Sequence, residues 1–277
     1  MESHMEIKVI SFNLRYDKPD PGENAWTVRK EAVASLISHY APDIIGTQEG
    51  KAHQLLDLHR LLPDYQSLGG DAFGGKVSTG TGTGEYCAIF YRTQRLRCLV
   101  KSDFFLSNTP DIPGSISADW GNSVPRMTSW AVFAIVGEKR RVTVFNTHLD
   151  YASTRARELG TMLICDRLSH LKPTDSYLFL TGDFNADLGS LPREMLQRPL
   201  PNGVTLNDAL AGVELDQQLS FHDFTGKAFA AVDTIYYDSR ISLRQVKVDT
   251  EQWEGVWPSD HFPVVAEFVV TPEMDST

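Results

Sequence analysis

Polar and apolar residues alternate along residues 6–13, the period of two that marks a strand, ending at Asn13. The pattern then changes. Val28, Ala32, Val33, Leu36 and Ile37 fall at helical spacing across residues 26–40, and Ala41-Pro42 stops the run. Residues 43–49 form a short buried strand ending in a carboxylate, followed by a helix over 53–62 and a Gly/Ser/Thr-rich loop over 69–84. Further strands are predicted at 86–91, 96–106, 129–136 and 141–149, then a helix over 153–171 that Ser153 can cap. The apolar run from Tyr177 stops at Gly182, short helices follow, and strands return at 231–237, 243–248 and 262–270. So many strands with so few helices predict an α+β chain: two packed sheets, with helices outside.

At 277 residues and 42% hydrophobic composition the chain can bury a sizeable core. No linker tract or fixed-period repeat interrupts it, so one domain is expected over 6–271, with Met1–His4 read as a cloning scar. The 26 basic against 36 acidic residues give a net charge of −10, and the longest basic cluster is Lys139-Arg140-Arg141. That balance disfavours a duplex-DNA binder, which neutralises backbone phosphates with basic patches. Cys87, Cys98 and Cys165 show neither a disulfide framework nor thiolate metal spacing, and no apolar run approaches a membrane span. The expectation is a cytoplasmic monomer without stable membrane insertion or an evident protein partner. Secretion stays open, because a leader could precede residue 5.

Five strand ends carry unusual polar groups. Asn13 closes the first strand and Glu49 the second; Asn146, His148 and Asp150 recur at i, i+2 and i+4 on one face. Asp183 and Asn185 end the apolar run, and Ser259-Asp260-His261 opens the last strand. Taken singly, each has an ordinary explanation, such as a solvated loop carboxylate or an asparagine satisfying its own turn. Together, hard oxygen ligands and two histidines at successive strand ends point to a metal-bound phosphate.

In order along the chain, Phe12-Asn13, Gln48-Glu49, Asn146-Thr147-His148-Leu149-Asp150, Gly182-Asp183-Phe184-Asn185, Val232-Asp233 and Ser259-Asp260-His261-Phe262-Pro263 resemble the motif series of the endonuclease/exonuclease/phosphatase superfamily. The resemblance runs from Phe12 to Glu267 and is nearest to bacterial-type members. It implies a four-layer αββα sandwich with two mainly antiparallel sheets. It also implies a divalent metal, usually Mg²⁺ with Mn²⁺ as a substitute, and hydrolysis of a phosphate ester.

The resemblance implies Glu49, Asn13 and Asp260 as metal ligands and Asp183 as the residue that orients or deprotonates water. Asn185 would bond a phosphoryl or leaving oxygen, and Asp233 would orient His261 at the phosphate. His148 would sit near the leaving oxygen with Glu85 as its carboxylate, and Arg126 would fork onto the phosphate. Asn146 stands between a substrate contact and a brace for His148, Asp150 on the same face is read as a substrate contact, and His222 stands between a substrate contact and a surface histidine. Lys51, Arg155 and Arg157 read as helix-surface charges. Thr234 departs from the Tyr or His that members carry after this Asp, and His148 replaces the tyrosine of apurinic-site endonucleases.

The leading expectation is a metal-dependent phosphoesterase acting on a small or single-stranded phosphorylated substrate. A nuclease is the runner-up. A secreted lipid phosphodiesterase and a non-catalytic binding module remain as further alternatives.

Overall fold

The computed structural model describes residues 5–18, 22–69, 84–172 and 176–270. Its strands are β1 (Met5–Asn13), β2 (Ile44–Gln48), β3 (Gly50–Lys51), β4 (Tyr65–Leu68), β5 (Glu85–Tyr86), β6 (Ile89–Arg92), β7 (Leu96–Phe105), β8 (Met127–Ile135), β9 (Arg141–His148), β10 (Tyr177–Asp183), β11 (Leu206–Asp208), β12 (Asp233–Asp238), β13 (Ser242–Val248) and β14 (Val264–Val270). The helices are α1 (Trp26–Tyr40), α2 (Ala52–Leu61), α3 (Thr154–Ser169) and α4 (Leu191–Gln197). Two six-stranded sheets result, in the orders β13-β14-β1-β2-β6-β4 and β11-β12-β10-β9-β8-β7. Each is antiparallel except for one parallel pair, β1 with β2 and β9 with β10.

The expected strand over 86–91 divides in two. β5 pairs with β3 as a separate ribbon, while β6 joins the first sheet. The Gly-rich stretch 70–83, expected as a substrate-shaping loop, lies outside the described residues. No helix among the described residues is long and apolar enough to cross a membrane.

The sheets pack face to face, and helices cover their outer faces. On α1 the buried residues Trp26, Arg29, Ala32, Val33, Leu36 and Ile37 form one stripe, which packs with Leu55 and Leu58 of α2 over Ile10, Phe12 and Ile45 of the first sheet. The helix ends at Ala41, whose φ of 44° is left-handed. On the other side Ile164 and Leu168 of α3 and Leu196 of α4 pack over Phe145, Leu178, Leu180 and Tyr236. Ser153 caps α3, its side chain accepting from the Ala156 N–H at 3.1 Å.

Strand alternation explains why a polar site forms at one end of the sandwich. The inner face of β1 reads Ile7, Val9, Ser11, Asn13; that of β9 reads Val142, Val144, Asn146, His148; that of β10 reads Tyr177, Phe179, Thr181, Asp183. In each, two apolar residues belong to the inter-sheet core and the next two are buried polar groups. β12 runs the other way, so Asp233 at its start reaches the same end as Asp183, its cross-strand partner. The apolar half holds the sheets together. The polar half becomes a site.

The second sheet packs directly against Gly46, where an added Cβ would lie 1.9 Å from Thr181 Oγ1 and 2.7 Å from Asn146 Oδ1. Gly46→Ala is therefore expected to destabilise the fold by about 3 kcal/mol through overpacking. Adding Thr181→Ala, which vacates that space, should recover part of the loss. Urea midpoints of the double-mutant cycle test this, and strict additivity of the two changes would contradict it.

Candidate active site

Asn13, at the end of β1, stands between two carboxylates. Its Nδ2 donates to Glu49 Oε1 at 3.0 Å and to Asp183 Oδ2 at 2.9 Å, while its Oδ1 accepts from the Arg15 N–H at 2.9 Å. Glu49 Oε2 accepts from the Tyr16 N–H at 3.0 Å. Asp183 Oδ1 accepts from the Asn185 N–H at 2.9 Å. His261 Nδ1–H donates to Asp233 Oδ2 at 2.7 Å, and the other imidazole nitrogen lies 3.9 Å from Asp183 Oδ2. Arg126 donates from Nη1 to His148 Nδ1 at 3.0 Å, and His148 Nε2 lies 3.3 Å from Asp183 Oδ2. Asn185 Nδ2 lies 2.9 Å from that Nε2.

The backbone is strained where these groups turn into the site. Arg15, Glu49 and Asn185 have φ of 55°, 64° and 45°, a left-handed region that non-glycine residues seldom occupy. Such strain persists only where surrounding structure imposes it, and it concentrates at functional positions.

The groups surround a cleft of about 580 Å³ lined by Glu49, Glu85, Arg126, His148, Asp183, Asn185 and His261 among the expected residues. Burial pushes the Asp183 carboxyl up to about 7, and the negative charge of Asp233 adds to the rise against the pull of His261. Burial also lifts Glu85 to about 7, with Glu49 adding and Arg126 opposing. For His261 burial disfavours the charge, but Asp233 and Asp183 outweigh it and raise the imidazole to about 10. His148 is held neutral by burial and by the positive charges of Arg126 and His261.

The chemistry of the donor set fits a hard divalent cation. Single ligand atoms of Glu49, His148 and Asp183 all lie within 4.8 Å of one another, as do those of Asp183, Asp233 and His261. Beside them Asp260 Oδ2 is buried without a hydrogen-bond partner among the described residues, 3.3 Å from Arg15 Nη1. Two or three carboxylates around a small polar gap are costly without a cation to neutralise them, and oxygen ligands suit an ion that keeps part of its hydration shell.

Several expected residues lie elsewhere or face other groups. Asn146 is fully buried between the sheets, where its amide donates to Thr47 O at 2.8 Å and Ala88 O at 2.9 Å and accepts from Gln48 Nε2 at 2.7 Å. With both ends of the amide committed, it braces the sheets and does not reach substrate. Asp150 is also buried; its Oδ1 accepts from the Ala152 and Ser153 N–H groups, and its Oδ2 faces Arg126 Nε at 3.8 Å. It supports Arg126. Asn13, expected as a metal ligand, turns its amide nitrogen toward the carboxylates and its oxygen toward the Arg15 N–H, which makes it a bridge between Glu49 and Asp183. Glu85 lies 4.0 Å from Arg126, and the partner at His148 Nδ1 is Arg126.

His222 is neither at the surface nor in the cleft. It is fully buried, stacked on Phe262 with centroids 3.9 Å apart, and its Nδ1 accepts from the Gly226 N–H at 3.2 Å. Burial, followed by the charge of His261, pulls it down to about 4. The unfolded chain protonates His222 as pH falls through about 6.5 while the folded chain does not, so this contribution is present above pH 6.5 and lost toward pH 4. The wild type should lose roughly 2–3 kcal/mol relative to His222→Gln across that interval. Urea midpoints that fall in parallel for both proteins would contradict this.

The cleft also contains residues that sequence reasoning missed. Arg15, Tyr16, Lys51, Val124, Tyr151 and Phe221 line it. Lys51 is no free helix-surface charge: its ammonium donates to Asp17 O at 2.5 Å and sits 5.0 Å from the Tyr16 ring centre. The Arg that follows Phe12-Asn13-Leu14 was the available signal for this wall.

Residues 10–261 match the Endonuclease/Exonuclease/phosphatase family. The chain belongs to that family. Among solved structures, a family protein of Bacteroides thetaiotaomicron aligns with a TM-score of 0.83 and 28% identity over 98% of this chain and 100% of that one. A mannosyl-6-phosphatase of the same organism aligns with a TM-score of 0.80 and 28% identity over 95% and 99%. Among curated proteins, a probable CCR4-Not complex 3'-5'-exoribonuclease subunit Ccr4 of Encephalitozoon cuniculi is 25% identical over 87% of this chain. The chain spans 56% of that relative's length. These likenesses support a phosphoester hydrolase with a divalent-metal site, in agreement with the donor set.

Proposed function

We propose that this protein is a Mg²⁺-dependent phosphoesterase that hydrolyses a small phosphorylated substrate by in-line attack of water. The observation that carries the reading is the convergence of Glu49, Asp183, His148 and His261 on one ligand-sized cleft at the polar end of the sandwich. Glu49, with Asp260 beside it, would hold the cation, and Mn²⁺ would serve in its place. When bound, the ion supplies charge neutralisation at the phosphoryl oxygens and at the leaving oxygen.

The remaining steps belong to the protein. The Asp183 carboxylate orients a water and takes its proton, a task suited to a carboxyl lifted to about 7. His261, kept charged by Asp233, and the Arg126 guanidinium face the oxygens on which negative charge builds. His148, held neutral by burial and by the charge of Arg126, faces the leaving oxygen, and the Asn185 amide helps to place it. Glu85 and Asp150 hold Arg126 from two sides.

The net charge of −10 and the cleft volume of about 580 Å³ favour a compact ester over duplex DNA. Likeness to a mannosyl-6-phosphatase supports a sugar phosphate, and likeness to a probable 3'-5'-exoribonuclease supports single-stranded RNA as the second reading. Hydrolysis of mannose 6-phosphate, p-nitrophenyl phosphate, bis-p-nitrophenyl phosphate, single strands and duplex, each with Mg²⁺ and with chelator, separates them. The expected outcome is turnover of a small ester that chelator abolishes and Mg²⁺ or Mn²⁺ restores. Chelator-insensitive turnover, or cleavage of duplex alone, would overturn the reading.

A further inference from the structure

Arg29, the arginine of α1, is only 1% exposed and hydrogen-bonds no carboxylate among the described residues. Its guanidinium instead gathers four backbone carbonyls. Nε donates to Asn24 O at 2.7 Å; Nη1 donates to Leu14 O at 3.0 Å and Pro258 O at 2.6 Å; Nη2 donates to Arg15 O at 3.2 Å. Four of the five N–H groups of the fork are thereby used. The cation lies over the rings of Trp26 and Phe224, 5.5 and 5.4 Å from their centres.

The segments joined here are the ones that carry the proposed cation's surroundings. Leu14 and Arg15 directly follow Asn13, the bridge to Glu49 and Asp183. Pro258 precedes Ser259-Asp260 by one residue. Phe224 belongs to the turn whose Asp223 N–H donates to Asp260 O at 3.1 Å. Ser259 Oγ ties the same two segments by donating to Asn13 O at 2.6 Å, and Gln54 Nε2 adds a bond to Arg15 O at 3.0 Å. Arg15, whose left-handed backbone is held this way, turns its guanidinium onto Asp260 at 3.3 Å.

We propose that Arg29 is the positioning residue of the cation site: from outside the cleft it clamps the end of β1 to the segment entering β14, so that Glu49, Asp183 and Asp260 face one point. The inference rests on the phosphoesterase reading above. It assigns to α1 a part that no cleft-lining residue performs. Removing a group that orients metal ligands from behind typically weakens metal binding 10- to 100-fold. Lysine cannot replace it, because a single ammonium cannot span carbonyls gathered by a planar fork.

Calorimetric titration of Mn²⁺ into the full chain tests this with wild type, Arg29→Lys, Arg29→Met and Ile164→Ala, well below every melting temperature. Ile164 lies fully buried on the far side of the sandwich, so its alanine variant reports what loss of stability alone does to Mn²⁺ affinity. Arg29→Lys should bind Mn²⁺ 10- to 100-fold more weakly with near-native circular dichroism, while Ile164→Ala melts lower and binds as the wild type does. Should Arg29→Met not fold, Arg29→Lys, which keeps a cation, carries the test. Wild-type affinity in Arg29→Lys, or equal weakening in Ile164→Ala, would overturn the clamp alone. No Mn²⁺ uptake by the wild type would overturn the phosphoesterase reading and the clamp with it.

Discussion

Asparagine in place of Asp183 is expected to leave the protein folded and to lower kcat by about a thousandfold, within the 10²–10⁴ that general acid–base groups contribute. The substitution keeps shape and one acceptor oxygen, so the bond from the Asn185 N–H at Oδ1 survives. It removes the proton acceptor and one negative charge from the cluster of Glu49, His148 and Asp183. The bond from Asn13 Nδ2 at Oδ2 is lost, at a cost of about 1–3 kcal/mol, and removing a carboxyl whose charged form burial disfavours offsets part of it. Steady-state kinetics at saturating Mg²⁺, with circular dichroism as the folding control, decide the matter. A variant that keeps more than a tenth of the wild-type kcat would show that another group handles the water.

Asp233→Asn is expected to cut activity roughly a hundredfold near pH 8 and to move the alkaline limb of the pH profile downward. A histidine needed as a cation works below its pKa and fails as pH rises through it. In the wild type burial opposes the charge on His261, yet Asp233 first among the acids holds it at about 10. Without that carboxylate the opposing effect of burial dominates, so the limb should fall toward or below the ordinary value of about 6.5. The same sign governs stability: the contribution of this pair is full below about 6.5 and lost as pH rises through about 10. Breaking such a buried pair costs about 3–5 kcal/mol, so the variant should also melt lower at pH 7. A pH–rate profile displaced in height but not in its alkaline limb would contradict the assignment of charge to His261.

Much of the site was legible because strand alternation is a rigid rule. Knowing that Val142 and Val144 face inward places His148 on the same face, and the same reasoning puts Asp183 beside it on the neighbouring strand. What alternation does not give is depth. Asn146 shares His148's face but sits two residues earlier, about 6.6 Å down the strand, which is enough to move it from the cleft into the seam between the sheets. Nor does the rule extend past a strand's last residue. β9 ends at His148, so Asp150 follows a loop geometry and turns back on Arg126.

The cationic wall was illegible for a different reason. Arg15 reaches the cleft from a left-handed backbone held by bonds to Arg29, Gln54 and Asn13, and Lys51 lies two residues after Glu49, whose backbone is left-handed too. Sequence gives little sign of such strain in residues other than glycine and asparagine. His222 misleads in the opposite direction: a loop histidine between Phe221 and Asp223 looks exposed until Phe262 and Trp257 close over it.

Anomalous diffraction from Mn²⁺-soaked crystals of the full chain bears most directly on the proposed cation site. The expected result is a peak in the cleft at roughly 2.1 Å from a Glu49 carboxylate oxygen, with Asp260 contributing a further ligand. A cleft without a peak at saturating Mn²⁺, or a peak bound by other residues, would contradict the account.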